Sequence, residues 1–429
     1  MDDLISAIAT AVGAGGVAIV RMSGRGALGV ARKMFSRKGE FTPNYMYAGE
    51  IDAGVFRDFG MCVYFRAPKS FTGEDVVEFH CHGGTEIARG ILKRTLELGA
   101  RLAERGEFTK RAYLNGKLSL SAAEGVGEMI AASSEAQVRA GYLLYNEKLT
   151  SFGTALQKKL TYCLAEVDAD LDYPEEDLNA SSRRGIVAAL AETEGELAAL
   201  LAQYAAGRKI RSGVSVALAG NPNAGKSSLF NALLGYERAI VSDVAGTTRD
   251  VVEGTLEIHG VNFRLTDTAG LRESDDAVER EGVRRAREAI RGADVIVWLK
   301  EEGEKPDFPV GIPVITVGAK SDLARRDGCD VVLSSLTGEG LEALRELLYE
   351  KGFGRENDGA FLLSERHYRA AMAALTAVRE ARAAAEGGLP PELYAEDIRR
   401  AWEALGTLSG ETASEAIVTE IFEKFCVGK

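Results

Sequence analysis

The residues best suited to chemistry lie in one stretch in the middle of the chain, 220–227, which has the spacing G-x-x-x-x-G-K-S. The apolar run before it, 214–219, predicts a buried strand, and residues 228–234 after it predict a helix. A glycine loop in this position turns backbone N–H groups toward one point, where the helix N-terminus adds partial positive charge. Lys226 can then reach the β- and γ-phosphates, and the Ser227 hydroxyl can ligate Mg²⁺. This stretch predicts a nucleotide-phosphate site rather than a chance glycine turn.

Three further motifs follow the loop in a fixed order. Thr248 supplies a hydroxyl that can complete the Mg²⁺ shell and sense a γ-phosphate. Asp267 ends a predicted strand and begins a D-x-x-G motif, in which it can hold the metal through water while the N–H of Gly270 touches the γ-phosphate. Asp322 can accept two hydrogen bonds from the guanine edge, which adenine does not offer. The order of these motifs favours a guanine-nucleotide switch over an adenine-specific P-loop ATPase.

The complete nucleotide site predicted from these motifs is larger. Its members, with Mg²⁺ on Ser227 and Thr248, are Asn223, Ala224, Gly225, Lys226, Ser227, Ser228, Ser242, Val244, Thr247, Thr248, Asp267, Gly270, Ala319, Lys320, Asp322, Ser334 and Ser335.

Two positions depart from the usual pattern of such switches. The place after D-x-x-G, where Ras-type proteins carry a water-positioning glutamine, is Leu271. The guanine motif N-K-x-D begins with Ala319 instead of asparagine, so one amide is missing. The loss of one buried polar contact should cost about 1 to 3 kcal/mol, roughly tenfold to a hundredfold in affinity. We expect specificity for guanine to survive through Asp322.

Composition limits the class of protein. The chain has 429 residues, 46% hydrophobic and 27% charged, which is typical of a globular protein of two to four domains. No run of 18 apolar residues occurs and the N-terminus is acidic, so we expect a cytoplasmic protein with no membrane span and no signal peptide. The five cysteines are scattered, which argues against a disulfide framework or zinc cluster. Because the net charge is -12, any RNA contact must use local basic patches.

The elements that position these motifs fall into four segments. Residues 1–117 predict a mixed α/β domain with strands at 16–21, 60–65 and 75–81 and helices at 27–35 and 85–98. Residues 118–207 and 354–429 have helical periodicity, with a break at 387–391, and predict one helical domain built from two parts. Residues 208–353 would be an α/β nucleotide domain inserted between them, with hinges at 207–213 and 352–359. His80 and His82 flank Cys81, where a packed strand end is favoured over a metal site.

Motifs along the whole chain resemble those of one family, the MnmE (TrmE) tRNA-modification GTPases. Besides the nucleotide motifs, they are G-G-V-A-I-V-R-M-S-G at 15–24, S-F-T-G-E-D at 70–75, G-E-F-T-K-R-A at 106–112, N-G-K-L at 115–118 and C-V-G-K at 426–429. The resemblance implies a mixed α/β folate-binding N-terminal domain that dimerises and a discontinuous helical domain. It also implies an inserted Ras-like P-loop G domain with a mostly parallel sheet.

The resemblance also implies a function. With an FAD-dependent partner, MnmG (GidA), in a heterotetramer, such proteins add an aminomethyl or carboxymethylaminomethyl group to carbon 5 of the wobble uridine of certain tRNAs. The one-carbon unit comes from a 5-formyl- or methylene-tetrahydrofolate. The family's folate site falls here on Arg21, Glu78 and Lys117, with Lys429 close by. Cations suit folate's glutamate carboxylates and a carboxylate can accept pterin N–H groups, although without the family these would be two surface cations and a strand-end glutamate.

Hydrolysis in the family relies on K⁺ and on dimerisation of the G domains. The resemblance puts K⁺ on Asn223 and on oxygens of Ser242, Val244 and Thr247, where it neutralises developing charge as an arginine finger does elsewhere. It makes Glu279 the residue that orients water, for which a solvated helix residue is the alternative. The catalytic residues predicted in this way are Glu279, Lys226 and Cys426, although Cys426 could equally have a structural or docking role.

Two other classes of protein remain open at this point. A regulatory or ribosome-assembly GTPase would share the nucleotide motifs but would not need the folate-like N-terminal segment. A scaffold without useful nucleotide binding would follow if Ala319 had abolished that binding. The intact loop with Thr248 and Asp267 argues against the scaffold.

Overall fold

The computed structural model describes residues 3–11, 13–172, 179–235, 252–267, 287–301, 308–323, 328–354, 364–410, 412 and 414–428. The chain packs as two compact units. One consists of Met1–Gly127, Leu144–Ala165 and Ile398–Lys429, and the other of Glu128–Leu143 and Glu166–Asp397. Among the described residues, no helix is long and apolar enough to cross a membrane.

The first unit contains a six-stranded sheet; two helices cover one face, and Phe108 packs with Ile5 and Ala7 on part of the other. Its strands are β1 (Ile5–Ile8), β2 (Val17–Ser23), β3 (Met46–Asp52), β4 (Arg57–Phe65), β5 (Val76–His82) and β6 (Arg101–Leu102), in the order β3-β4-β5-β2-β1-β6. All neighbours are antiparallel except β1 and β6. Helices α1 (Ala27–Met34) and α2 (Thr85–Glu97) pack on the face that carries Val20 and Phe79. Because side chains alternate along a strand, Arg21 and Glu78 lie on the opposite face.

The predicted strands and helices of this domain are confirmed, with boundaries that differ by up to three residues. Strands β1, β3 and β6 were not predicted. β1 and β6 have only four and two residues, which is too short for a clear period. β3 lies at the sheet edge, and most of its residues are exposed or half-buried, without a run of apolar residues.

Helices from both predicted helical segments pack against one another. Helix α3 (Glu107–Leu114) was not predicted and lies within the N-terminal segment. The first helical segment forms α4 (Leu120–Ala131), α5 (Glu135–Tyr145), α6 (Lys148–Asp172), α7 (Asn179–Ala202) and α8 (Tyr204–Ser212). The second forms α11 (Glu365–Glu386), α12 (Pro391–Ser409) and α13 (Glu415–Glu423), so the predicted break before Pro391 is confirmed. In the first unit, Gln157 Nε2 donates to the Trp402 carbonyl at 3.1 Å. In the second, Glu194 accepts from Arg379 at 2.8 Å. Within each unit, long-range contacts of this kind join helices of the two segments.

The predicted glycine hinge at 207–213 is wrong for most of its length. Residues 207–212 belong to α8, where Gly207 and Ile210 are buried. The ammonium of Lys209 donates to the Gly352 carbonyl at 2.6 Å. Burial of one helix face therefore outweighed the local glycine signal. In the second predicted hinge, residues 352–353 end a π-helical turn, Tyr349–Phe353, and residues 355–359 lie outside the described part of the chain.

The second unit contains the nucleotide-domain sheet. Its strands are β7 (Val214–Ala219), β8 (Val252–Ile258), β9 (Val261–Asp267), β10 (Val295–Leu299), β11 (Val314–Gly318) and β12 (Val331–Val332), in the order β12-β11-β10-β7-β9-β8. Only the β8–β9 pair among these described strands is antiparallel. Helices α9 (Lys226–Gly235) and α10 (Leu341–Leu348) belong to the same domain. The carboxyl ends of the parallel strands share one edge, where ligands bind in such sheets.

The β8–β9 hairpin connects this edge with the helices. At its tip, the Gly260 carbonyl accepts from the backbone N–H of Ala136 at 2.8 Å. Beside it, Asn262 Nδ2 donates to Ser133 Oγ at 2.8 Å. The other end of β9 carries Asp267. One hairpin thus contacts both the start of α5 and the ligand edge of the sheet.

Candidate nucleotide-binding site and folate face

The loop between β7 and α9 has the backbone conformation that its glycines permit. Gly220 has φ 144°, and a Cβ there would lie 2.8 Å from the carbonyl oxygen of Leu299. Gly225 has φ 105°, and Asn223 adopts the left-handed conformation at φ 67°. Only glycine meets both demands at position 220. Of the other predicted members, Ala224 is buried and Ser228 is exposed.

Lys226 is buried at the start of α9 and faces back across the loop. Its Nζ donates to the carbonyls of Gly220 at 2.6 Å and Asn221 at 2.7 Å. Asn221 in turn donates from Nδ2 to Glu301 Oε2 at 3.2 Å. The motif did not predict Glu301; the signal that could have found it is an acidic residue just after the buried strand β10. The loop therefore holds its cation in place before any phosphate arrives.

Two side chains suited to metal binding lie together, the predicted ligand Ser227 and the aspartate predicted to hold the metal through water. Ser227 Oγ donates to Asp267 Oδ2 at 2.8 Å. The pairing follows from the sheet, because Asp267 stands opposite Leu218 in the parallel β7–β9 register. A hydroxyl and a carboxylate are hard oxygen ligands, and Mg²⁺ usually takes only one or two of these from the protein beside substrate phosphates and water. The donor set fits Mg²⁺.

The predicted base-recognition residues also converge. Asp322 is exposed, and its Oδ1 accepts from the buried Ser334 hydroxyl at 2.6 Å. Lys320 has φ 63°, and its Nζ donates to the Asn223 carbonyl in the phosphate loop at 2.9 Å. Ser335 follows at a half-buried position. The carboxylate of Asp322 is thus oriented by the Ser334 side chain, which acts here as a positioning residue.

Ala319 is buried at 5% exposure and faces the phosphate loop. A Cβ added at Gly225 would lie 4.0 Å from the Ala319 Cβ and 3.9 Å from the Lys320 Cε. An asparagine at position 319 would therefore place its amide between the phosphate loop and residues 319–322, which we call the base loop.

Part of the predicted site lies outside the described residues. These members are Ser242, Val244, Thr247, Thr248, Gly270, Glu279 and Lys429. Of the predicted K⁺ set, Asn223 alone is described.

On the partly covered face of the first sheet, opposite α1 and α2, Arg21 and Glu78 form an ion pair. They are register partners on β2 and β5, and Arg21 Nε donates to Glu78 Oε1 at 2.7 Å. His80 Nε2 lies 3.2 Å from Glu78 Oε2. Burial alone would raise the pKa of Glu78, but His80 and Arg21 together hold that pKa below its ordinary value. The Arg21 guanidinium also lies 5.9 Å from the Phe71 ring centroid and 5.6 Å from that of Phe108. Aromatic rings beside a charge pair suit a flat, polar-edged ligand.

Lys117 lies against the segment 66–75, which also contacts Arg21. The Lys117 Nζ donates to the Pro68 carbonyl at 3.1 Å. Its Cγ lies 3.3 Å from where a Cβ on Gly73 would stand. Because Phe71 belongs to the same segment, one loop touches both predicted folate cations.

The C-terminal segment is held against the N-terminal domain. The Cys426 carbonyl accepts from the Gly106 N–H at 3.3 Å, and Val427 forms a bridge with Arg105. At Gly428, with φ 95°, an added Cβ would collide with the Ile8 carbonyl. Cys426 itself is exposed. The backbone of 426–428 therefore contacts the N-terminal segment, while the role of the Cys426 thiol stays a prediction.

The histidine pair at the end of β5 is engaged by carboxylates. His82 Nδ1 lies 2.6 Å from Asp58 Oδ1, and His80 contacts Glu78 as above. Cys81 points to the covered face, where burial, followed by the charge of Asp58, raises its pKa to about 11. Within the described part of the chain, no group of three or more His, Cys, Asp or Glu side chains could hold a metal ion.

Comparison with known proteins decides the family. Residues 4–117 match the profile described as the GTP-binding protein TrmE N-terminus, and residues 120–426 match that of the MnmE helical domain. The chain belongs to the MnmE family of tRNA modification GTPases. The tRNA modification GTPase MnmE of Aquifex aeolicus is 39% identical over 450 residues, covering 100% of both chains. That of one strain of Thermus thermophilus is 42% identical over 445 residues, covering 100% of this chain and 99% of its own.

Family membership confirms the predicted resemblance, the GTPase class and the combination of a TrmE-type N-terminal domain, helical domain and Ras-like P-loop domain. A solved structure of Aquifex aeolicus Era bound to GDP and AlF4⁻ is 28% identical and covers 38% of this chain and 65% of its own. Its TM-score of 0.27 is too low to add to the assignment.

Proposed function

We propose that this chain hydrolyses GTP to drive modification of the wobble uridine of tRNA. With an FAD-dependent partner of the MnmG (GidA) type, in a heterotetramer, it would add an aminomethyl or carboxymethylaminomethyl group to carbon 5. The one-carbon unit would come from a tetrahydrofolate. The observation that supports GTP hydrolysis is the convergence of Lys226, Ser227 and Asp267 at the sheet edge. Asp322, oriented by Ser334, supports recognition of guanine.

The phosphate end of the site follows from the geometry of the loop. Lys226 is already desolvated and aligned, so little reorganisation is needed when it pairs with phosphate oxygens. The Ser227 hydroxyl, now donating to Asp267, has lone pairs for Mg²⁺, and Thr248 would be the second ligand. Bound Mg²⁺ would neutralise charge on the β- and γ-phosphates. Asp322 would accept from the guanine edge while Ser334 fixes its rotamer.

Water positioning must come from outside the D-x-x-G motif, because Leu271 has no polar group. We assign that task to Glu279. Potassium held by Asn223, Ser242, Val244 and Thr247 would supply the positive charge that other GTPases obtain from an arginine. Two G domains closing on each other would complete this arrangement.

The N-terminal domain would hold the tetrahydrofolate on the sheet face that carries Arg21 and Glu78. Glu78 stays ionised because its pKa is lowered, so it can accept N–H groups of a pterin. Arg21 and Lys117, with Lys429, would meet carboxylates of the folate tail. Cys426 lies on the segment docked beside the start of α3, whose Phe108 touches Arg21, and we retain it as the candidate nucleophile.

A homodimer through the N-terminal domain would cover the same face. Val17, Phe59 and Met61 are 56%, 65% and 39% exposed there, on the side of the sheet opposite the helices. Exposed apolar side chains around a half-buried ion pair suit an interface between two copies. Such an interface would also enclose the proposed folate site.

GTP turnover by the purified chain in matched KCl and NaCl buffers, with ATP as control, tests the GTPase half. We expect hydrolysis only of GTP and faster in KCl, with the K⁺ advantage lost in Asn223→Ala. Equal rates in the two salts would leave the Asn223 assignment without support. Tetrahydrofolate binding, weakened in Arg21→Ala, separates this function from that of a regulatory or ribosome-assembly GTPase.

A further inference from the structure

The charges of the N-terminal domain are unevenly distributed. Although the whole chain carries a net charge of -12, residues 4–39 contain no Asp or Glu. The same stretch contains six cations, namely Arg21, Arg25, Arg32, Lys33, Arg37 and Lys38. An acidic protein with one uniformly basic segment can attract a polyanion locally.

Helix α1 and the short segment before it present three of these cations to solvent. The helix buries Ala27, Val30, Ala31 and Met34 against the sheet. Arg32 and Lys33 are exposed on its other side, and Arg25 is exposed just before its first turn. Within the described residues, no carboxylate pairs with any of these three cations. We call Arg25, Arg32 and Lys33 the α1 basic face.

A cavity of about 480 Å³ opens beside this face. Arg25 and Lys33 line it, and its walls include Gly26, Gly29 and Gly99. A Cβ added at any of these glycines would meet no atom within 4 Å, so each glycine leaves space that a side chain would fill. The first turn of α1 has no side-chain cap, and its backbone N–H groups add partial positive charge.

One carboxylate, Asp3, lines the cavity, and it forms ion pairs with two arginines that also pair with Glu107. Asp3 Oδ2 accepts from Arg101 at 2.6 Å, and Asp3 Oδ1 accepts from Arg111 at 2.7 Å. At the far end of α1, Glu50 pairs with Arg57 at 3.1 Å. The positive charge of Arg25 and Lys33 therefore remains uncompensated at the mouth of the cavity.

We propose that the α1 basic face and its cavity bind phosphate groups of the tRNA backbone. The inference rests on the proposed function, because it assigns a binding surface to the tRNA that this function requires. An RNA fits better than a membrane, because the apolar side of α1 is already buried on the sheet. Since α1 covers the sheet face opposite Arg21 and Glu78, tRNA and tetrahydrofolate would bind on different sides of the domain.

The test is binding of a fluorescent tRNA transcript to the full chain between about 50 and 200 mM KCl, followed by anisotropy. The variant Arg25→Gln/Arg32→Gln/Lys33→Gln removes the α1 basic face. Each phosphate contact contributes about 0.7 to 0.9 to the slope of log K against log salt. We expect the variant to lose roughly two to three units of slope and about tenfold to a hundredfold in affinity at the low-salt end. Melting temperatures measured alongside report the folding of each variant.

A matched control removes the same charge from α2 of the same unit. Arg89→Gln/Lys93→Gln/Arg94→Gln should change tRNA affinity by less than about threefold, because none of the three lines the cavity and both arginines already pair with a glutamate on the same helix. A second variant, Gly29→Leu, fills the cavity without altering charge and should weaken binding severalfold.

Equal losses in the two triple variants would overturn the proposal, since they would reflect net charge alone. Unchanged binding by the α1 variant would also overturn it, as would a wild-type chain that binds no tRNA. GTP turnover by the wild-type chain is measured in the same preparation. A loss of tRNA binding can then be distinguished from a failure of the proposed GTPase activity.

Discussion

Restoration of the missing amide by Ala319→Asn should tighten nucleotide binding. Ala319 is buried and faces Gly225 of the phosphate loop. The Lys320 to Asn223 hydrogen bond, 2.9 Å long, already ties the base loop to the phosphate loop. An asparagine amide at 319 would add a second tie and a donor or acceptor for the guanine ring.

The size of the effect follows from the number of new hydrogen bonds. One or two neutral hydrogen bonds contribute about 0.5 to 1.5 kcal/mol each, so the Kd for GDP should fall about twofold to a hundredfold. Because affinity differences of this kind are mostly differences in release, the off-rate should slow by a similar factor. Poor fit of the larger side chain would instead destabilise the domain by about 1 to 3 kcal/mol, which a melting curve detects.

The assay is release of a fluorescent GDP analogue in stopped flow, with calorimetric titration for Kd. Ala319→Leu is the matched control, because it adds similar bulk without hydrogen-bonding groups and should not slow release. An asparagine variant that melts like the wild type and releases GDP equally fast would refute the reasoning.

Three further changes test other contacts. Gly220→Ala should destabilise the nucleotide domain by about 1 to 3 kcal/mol, since its Cβ would lie 2.8 Å from the Leu299 carbonyl; an unchanged melting temperature would count against the strained loop. Burial alone would raise the pKa of Glu107, but hydrogen bonds from two arginines and a backbone N–H lower it. Its stabilisation is thus present above pH 4.5, its ordinary pKa, and is lost as pH falls below that value through the lowered pKa, so Glu107→Gln should flatten the fall of melting temperature below pH 4.5; an equally steep fall would contradict this. Asn262→Ala removes the donor to Ser133 and should speed amide hydrogen exchange at 133–138 about fivefold with GTP turnover unchanged, whereas unaltered exchange would show that the hairpin tip holds without it.

The nucleotide site was predictable because its signals are local. The strand, loop and helix around Gly220 and Lys226 are contiguous, and Asp267 and Asp322 each follow a buried strand whose carboxyl end must reach the same edge. The pairing of Arg21 with Glu78 was not predictable from spacing, since 57 residues separate them and their contact depends on antiparallel register. The resemblance supplied both residues, but not the ion pair.

The incorrect prediction of a hinge at 207–213 has a comparable cause. Glycines and basic residues at 207–213 are local signals for a loop, whereas the buried face of α8 and the Lys209 to Gly352 bond are tertiary contacts. The same holds for Glu301, which supports the phosphate loop through Asn221 and belongs to no motif. Contacts between distant elements therefore account for most of what the sequence did not reveal.

The central claim is that GTP turnover by this chain drives modification of tRNA. Its most direct test is mass spectrometry of nucleosides from tRNA incubated with the chain, the FAD-dependent partner, a tetrahydrofolate one-carbon donor and GTP in KCl. We predict wobble uridine modified at carbon 5 by the wild-type chain, and little or none with Glu279→Ala or with a non-hydrolysable GTP analogue. Equal modification by the wild type and Glu279→Ala, in samples where GTP hydrolysis by the variant is abolished, would contradict the claim.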